Sequence, residues 1–106
     1  MPNTVKTENT YKVPGLSAGD KPLTIAVREI DGIYWRYTVT YDNATVMTGD
    51  DLGITGRSTI DYAACGLADH LAAIGEGAVD AGHLTPEQVG FCEDNAPRLR
   101  AWIRQL

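Results

Sequence analysis

Apolar and polar residues alternate strictly in two runs in the first half of the chain. The first run extends from Leu23 to Arg28 and the second from Ile33 to Tyr41. A period of two residues is typical of a strand with one buried face and one exposed face. The pattern predicts two strands that turn these side chains to one side: Leu23, Ile25, Val27, Ile33, Trp35, Tyr37 and Val39.

The connection between these strands is predicted from the faces that each register produces. A two-residue loop would place Val27 opposite Arg36 and mix apolar with polar side chains. A three-residue loop over residues 30–32 pairs Val27 with Trp35 and keeps the apolar side chains together. This loop needs Gly32 in the left-handed conformation, which glycine adopts at little cost. We therefore predict the three-residue loop.

A third strand is predicted over Ala44–Thr48. Asp42-Asn43 before it favours a tight turn, because asparagine tolerates positive φ. This turn pairs Val39 with Val46 and places Met47 on the outer face of the sheet. The meander then covers residues 22–48, preceded by a short strand around Tyr11–Val13.

Helical spacing of apolar residues begins after residue 58. Ser58 and Asp61 form a start signal for a first helix, which the glycines after Ile74 should end near Val79. Thr85 then predicts the cap of a second helix, with Pro86 in its first position.

Pro97 predicts a break in the second helix. Proline lacks a backbone N–H and clashes with the preceding turn, so the helix should end or kink near Asn95. A third short helix would then run from Pro97 to the end of the chain.

These elements predict an α+β fold in two layers. A three- or four-stranded antiparallel β-meander is followed by two or three helices, residues 59–106, packed on one of its faces. The 106 residues suffice for one domain, 1–106, in which residues 1–10 form a flexible arm. The helices should complete the core with Ile60, Leu67, Leu71, Ile74, Phe91, Leu99, Trp102 and Ile103, and Val46 should join them from the sheet.

Negative charge is concentrated in the middle of the chain. The net charge is −5, and residues 42–94 hold ten acids against the single base Arg57. Three arginines return in the last nine residues. Such a field disfavours direct nucleic-acid binding by the acidic half, because phosphate backbones require clustered Lys and Arg.

Composition also bears on the cellular location of the protein. No apolar run approaches the roughly 20 residues that span a bilayer, and the first 15 residues lack a signal-peptide core. We expect a cytoplasmic protein with no membrane partner. In a reducing compartment Cys65 and Cys92 would stay thiols.

No motif in the sequence indicates catalysis, a cofactor or a metal. Residues 51–58 resemble a phosphate-binding loop, but Asp51 replaces its first glycine and Arg57 its lysine, so we predict an ordinary connection. Cys65 lies between Asp61 and Asp69, whereas a nucleophilic thiol needs a positive neighbour. His70 and His83 lack metal-ligand spacing to each other or to the cysteines.

Two surfaces are predicted as partner-binding sites. The outer face of the sheet should present Arg28, Tyr34 and Arg36 and no carboxylate. Such a face suits an acidic partner or a single strand of nucleic acid. The flank of the first helix should present an acidic surface: Asp50, Asp51, Asp61, Asp69, Glu76 and Asp80. Either surface could instead be merely solvated, as such faces commonly are.

The leading hypothesis is a small, acidic, non-enzymatic protein-binding module. Its sharper version is an inhibitor whose acidic surface occupies the basic groove of a nucleic-acid-binding protein, by analogy with phage-encoded proteins such as anti-CRISPRs. One alternative is an enzyme or ligand-binding domain with a pocket between sheet and helices, using Tyr37, Tyr41 or His70. Another is a homodimeric accessory protein joined through edge strands.

Overall fold

The computed structural model describes residues 8–31, 34–50 and 59–106. In these ranges it contains four strands and two helices: β1 (Glu8–Lys12), β2 (Leu23–Ile30), β3 (Tyr34–Tyr41), β4 (Ala44–Asp50), α1 (Ile60–Gly75) and α2 (Pro86–Ile103). The strands form one antiparallel sheet in the order β1-β2-β3-β4. The predicted α+β fold, a meander followed by helices, is confirmed. β1 starts at Glu8, within the predicted arm.

The alternation in β2 and β3 separates a buried face from a more exposed one. Ile25 and Val39 are fully buried, and Trp35 and Tyr37 are each only 5% exposed. The side chains between them are half-buried or exposed, with Arg28 among the exposed ones. The predicted inner and outer faces of these two strands are therefore confirmed.

The predicted register between β2 and β3 is wrong by two residues. Val27 lies opposite Tyr37, not Trp35, and the strands join through residues 31–33. Both registers keep the apolar side chains on one face, so the hydrophobic pattern cannot separate them. The predicted register would bring Pro22, which has no N–H to donate, into the ladder. Gly32 and Ile33 lie outside the described residues.

The turn between β3 and β4 is tight, as predicted. Asp42 (φ 54°) and Asn43 (φ 66°) both adopt the left-handed conformation that a two-residue hairpin loop requires. The predicted register beyond it is wrong, because an irregularity at Val39 and Thr40 makes Val46 an extra residue. Val39 therefore pairs with Met47, which is buried in the core instead of lying on the outer face.

Helix α1 begins and ends at residues other than those predicted. Its N-cap is Thr59, whose side chain accepts a hydrogen bond from the Tyr62 N–H at 3.1 Å. The predicted cap, Ser58, lies outside the described residues. The helix ends at Gly75, one turn before Val79, because Gly77 (φ 74°) closes it with the double hydrogen-bond pattern of a Schellman motif.

Helix α2 starts as predicted but does not break. Thr85 and Gln88 form a reciprocal capping box, and Pro86 occupies the first helical turn. The predicted break near Asn95 and the separate third helix are wrong, since one helix continues through Pro97 to Ile103. Pro97 lies on the exposed side, and burial of apolar residues beyond it offsets the lost backbone hydrogen bond.

Sheet and helices share one hydrophobic core. The predicted core residues that the structure describes are buried, apart from Val46 and Ile103, which are half-buried against the core. Tyr11, Val13 and Met47 join the cluster from the sheet side. One face of the sheet is thus covered by helices, whereas the described residues leave its other face open.

Candidate functional site

The outer face of the sheet presents side chains in rows that run across all four strands. The pairing aligns one row of charged residues, which we call the charged row: Glu8, Arg28, Arg36 and Asp50. The adjacent row consists of short side chains: Thr10, Ala26, Thr38 and Thr48. The prediction that this face carries no carboxylate is wrong, because an acid lies at each end of the charged row.

The two arginines of the charged row differ in their contacts. Arg36 donates from Nε to Asp50 Oδ1 at 2.8 Å, and this hydrogen bond lowers the pKa of the Asp50 carboxyl. Tyr34, two residues before it, also interacts with Arg36 and helps to raise its pKa. The Arg28 side chain is exposed and forms no hydrogen bond or ion pair with any described residue. Within the described residues, the row thus holds one paired and one unpaired guanidinium.

A cleft of about 690 Å³ lies over the charged row and the threonine side chains beside it. Its floor includes Thr10, Ala26 and Thr38, and Arg28 and Arg36 line it with Glu8. Because the floor is made of short side chains, an extended segment can approach the sheet closely beside the guanidinium of Arg28. Two of the predicted residues, Arg28 and Arg36, therefore line one cleft, and Tyr34 and Asp50 interact with Arg36.

Three of the acids predicted on the flank of the first helix make contacts within the molecule. The prediction is wrong for Asp50, which lies on the outer face of the sheet, and for Asp80, which follows the end of α1. Arg100 of α2 donates to Asp69 and, at 2.8 and 2.9 Å, to Glu76. These hydrogen bonds lower the pKa of the Glu76 carboxyl. Asp61 accepts a hydrogen bond from the Tyr11 hydroxyl of β1. Asp51 lies outside the described residues.

A second depression, the inter-layer pocket, lies between the sheet, the end of α1 and the connection to α2. Its volume is about 300 Å³. Tyr37 and His70, two residues of the predicted pocket, line it together with Asp80 and His83. Tyr41 lies elsewhere and packs edge-to-face on Phe91, with ring centroids 5.4 Å apart. The sequence could not indicate Asp80 and His83, because their approach to Tyr37 depends on tertiary packing.

Among the described residues, the cysteines and histidines do not cluster into a reactive site. In those residues no group of three His, Cys, Asp or Glu side chains could hold a metal ion. Cys65 and Cys92 are both free thiols, and Cys92 is fully buried. Burial raises the pKa of Cys92 to about 11, with a smaller contribution from Glu93, so this thiol is protonated at neutral pH.

One edge of the sheet is partly protected. The Gln88 side chain donates from Nε2 to the carbonyl oxygen of Val46 in β4 at 3.0 Å. The same strand carries the irregularity in register. Bulges and occupied edge groups both disfavour pairing with another strand. Edge pairing into a homodimer stays a prediction, and it would suit β1 better than β4.

Comparisons with models of protein families, with curated proteins and with solved structures return no match to this chain. Neither of the two described helices combines the length and the apolarity needed to cross a membrane.

Proposed function

We propose that this protein is a non-enzymatic protein-binding module that receives an acidic segment of its partner on the outer face of the sheet. The observation that carries the proposal is Arg28, an exposed guanidinium that lines the cleft and lacks an ion pair with the described residues. Guanidinium groups bind carboxylates through paired, charge-assisted hydrogen bonds. A carboxylate of the partner would give Arg28 the kind of contact that Arg36 already has from Asp50.

The geometry of the cleft supports an extended ligand. The Thr38 and Thr48 hydroxyls lie 3.3 Å apart, and Thr48 donates to the Tyr37 carbonyl oxygen at 2.9 Å. These contacts hold the short side chains close to the sheet. Tyr34 adds an aromatic side chain at the start of β3, and tyrosine is enriched in protein interfaces. Arg28 would supply the charge and the threonine floor the space.

The inhibitor hypothesis requires the acidic side of α1 instead. Arg100 pairs with Asp69 and Glu76, so the three groups together carry a formal charge of −1, whereas the two acids alone carry −2. A mimic of nucleic-acid phosphates needs concentrated, accessible negative charge. These contacts support the sheet face as the binding surface. We retain the cytoplasmic location in the proposal, which two free thiols suit.

Affinity capture with three forms of the protein tests the proposal. The baits are the wild type, Arg28→Glu, and Arg104→Glu, which reverses an exposed charge at the end of α2. We expect a stoichiometric protein partner with the wild type and Arg104→Glu, and its loss with Arg28→Glu. Thermal melts should show that both variants fold, since each substitution is exposed. Arg28→Glu should melt slightly lower than the wild type, because the new carboxylate lies opposite Glu8.

Two results would contradict the sheet-face proposal. One is the absence of any stoichiometric partner, and the other is a partner that Arg28→Glu retains. In the second case, Asp69→Lys with Glu76→Lys tests the acidic surface of α1. Loss of the partner in that double variant would transfer the interface to the helix and favour the inhibitor hypothesis.

A further inference from the structure

The inter-layer pocket is mainly apolar inside and carries polar groups of its own. Met47 of β4, Leu71 and Ile74 of α1, and Leu84 of the connection form apolar wall. Asp80 and His83 also line the pocket and are exposed, whereas His70 is half-buried. Ligand sites in proteins combine an apolar lining with a few placed polar groups in this way.

Tyr37 is the polar group whose contacts the fold leaves incomplete. It is 95% buried, yet its hydroxyl forms no hydrogen bond with any described residue. The ring lies across Gly49 of edge strand β4, where an added Cβ would be 2.7 Å from the Tyr37 oxygen. Tyr37 lines the pocket from the sheet side together with Met47, which lies two residues before Gly49.

Solvent reaches this hydroxyl, since among the described residues no fully buried side-chain nitrogen or oxygen lacks a hydrogen-bond partner. A ligand that accepts its hydrogen bond would therefore take the place of water. Burial is the main cause that raises the pKa of Tyr37, followed by Asp50 and Cys92. At neutral pH the hydroxyl keeps its proton and can donate it to an acceptor atom of a ligand.

We propose that the inter-layer pocket binds a small, uncharged, mainly apolar molecule whose carbonyl oxygen accepts a hydrogen bond from the Tyr37 hydroxyl. The volume sets the size of the molecule. A cavity of about 150 Å³ holds benzene, so about 300 Å³ suits a two-ring ligand. This site is separate from the cleft on the outer face, and the inference does not depend on the proposed partner.

A matched pair of probes tests the inference. 1-Indanone is a two-ring ketone, and indane has the same rings without the carbonyl group. We expect saturable NMR shifts for Met47 and Ile74 methyl groups with both probes at about millimolar concentrations, as suits molecules of this size. Indanone should bind about tenfold more tightly than indane, the value of one hydrogen bond.

Two substitutions assign the binding to the pocket and to the hydroxyl. Tyr37→Phe should weaken indanone about tenfold and leave indane unchanged. Ala81→Leu, which fills the pocket wall, should abolish both sets of shifts, whereas Ala78→Leu at an exposed position should abolish neither. Folding of each variant is checked by its melt, and Ala81→Leu keeps the test valid if Tyr37→Phe does not fold.

The absence of saturable shifts in the wild type would overturn the inference. Shifts that persist in Ala81→Leu would also overturn it, because the probe would then bind elsewhere. Equal affinity of indanone for wild type and a folded Tyr37→Phe would overturn the role of the hydroxyl.

Discussion

Arg98 is a structural residue, although its position in the chain groups it with the basic C-terminal segment. It is only 5% exposed and donates from Nη2 to the Val13 carbonyl oxygen at 2.7 Å and from Nε to that of Pro14 at 3.0 Å. The guanidinium thereby ties α2 to the segment that follows β1. Two carbonyl groups there depend on one side chain for their hydrogen bonds.

Arg98→Ala should lower the free energy of unfolding by about 2–4 kcal/mol, because it removes two charge-assisted hydrogen bonds and leaves both acceptors unsatisfied. Arg100→Ala, two residues along the same helix, is the control. It removes the partly exposed ion pairs with Asp69 and Glu76, for which we expect about 1 kcal/mol or less. Urea unfolding measures both, and equal losses would contradict the structural role of Arg98.

Cys92 should make stability depend on alkaline pH. Its pKa is raised from 9.0 to about 11, so the unfolded chain loses the thiol proton at lower pH than the folded one. The stabilisation is complete below pH 9 and is lost as the pH rises towards 11, by at most about 1.4 kcal/mol per pH unit.

Urea unfolding of wild type and Cys92→Ala at several pH values isolates this contribution. Tyr11 and Tyr37 also have raised pKa values, but both variants keep them, so the difference between the two proteins reports on the thiol. The difference should shrink between pH 9 and 11. A difference that stays constant would show that the Cys92 thiol does not titrate differently on folding.

At the scale of elements, the contact between α1 and α2 depends on a glycine. A Cβ added to Gly75 would lie 2.1 Å from the Cys92 carbonyl oxygen, a backbone atom that cannot move independently. Gly90, inside α2, has nothing within 4 Å of such a Cβ. The two glycines therefore differ in the space around them, although both are helical.

Gly75→Ala and Gly90→Ala should change stability in opposite directions. Gly90→Ala should stabilise the protein by about 0.5–1 kcal/mol, the ordinary gain in helix propensity. Gly75→Ala should destabilise it by about 1–3 kcal/mol, because the clash forces the helices apart. Thermal melts measure the sign directly, and a stabilised Gly75→Ala would show that the helices are packed less closely.

The elements that the sequence predicts well are those with local signals. Thr85, Pro86 and Gln88 specify the start of α2 within four residues, and alternation specifies the faces of β2 and β3. The β2–β3 register is different, because a shift of two residues leaves every side chain on the same face. Continuation through Pro97 likewise depends on Leu99 and Trp102 reaching the core, which is a tertiary property.

At the scale of the whole molecule, the separation of acidic and basic residues along the sequence does not carry over to the folded surface. The acidic middle of the chain and its basic end meet where Arg100 binds Asp69 and Glu76. The outer face of the sheet gains Glu8 and Asp50 through strand pairing. The sequence therefore predicts which residues lie at the candidate site, as for Arg28 and Arg36. It does not predict which of their charges has a partner.

One shared core also predicts one cooperative unfolding transition. Trp35 lies in the sheet and Trp102 in α2, and both are buried in the same cluster. In Trp35→Phe and Trp102→Phe variants the remaining tryptophan reports on one layer, while far-UV circular dichroism reports on the secondary structure of both. We expect the fluorescence and dichroism transitions of each variant to coincide, as for a two-state domain.

Leu67→Ala tests the same coupling from the helix side. Leu67 of α1 is fully buried, so its truncation should cost about 2–5 kcal/mol and lower the transition seen by Trp35 in the sheet as much as that seen by Trp102. Cys65, a half-buried free thiol on the same helix, offers a control, since Cys65→Ala should shift both transitions much less. If Leu67→Ala shifted only the Trp102 transition, the helices would unfold separately, and the sheet would need another cover for its apolar face.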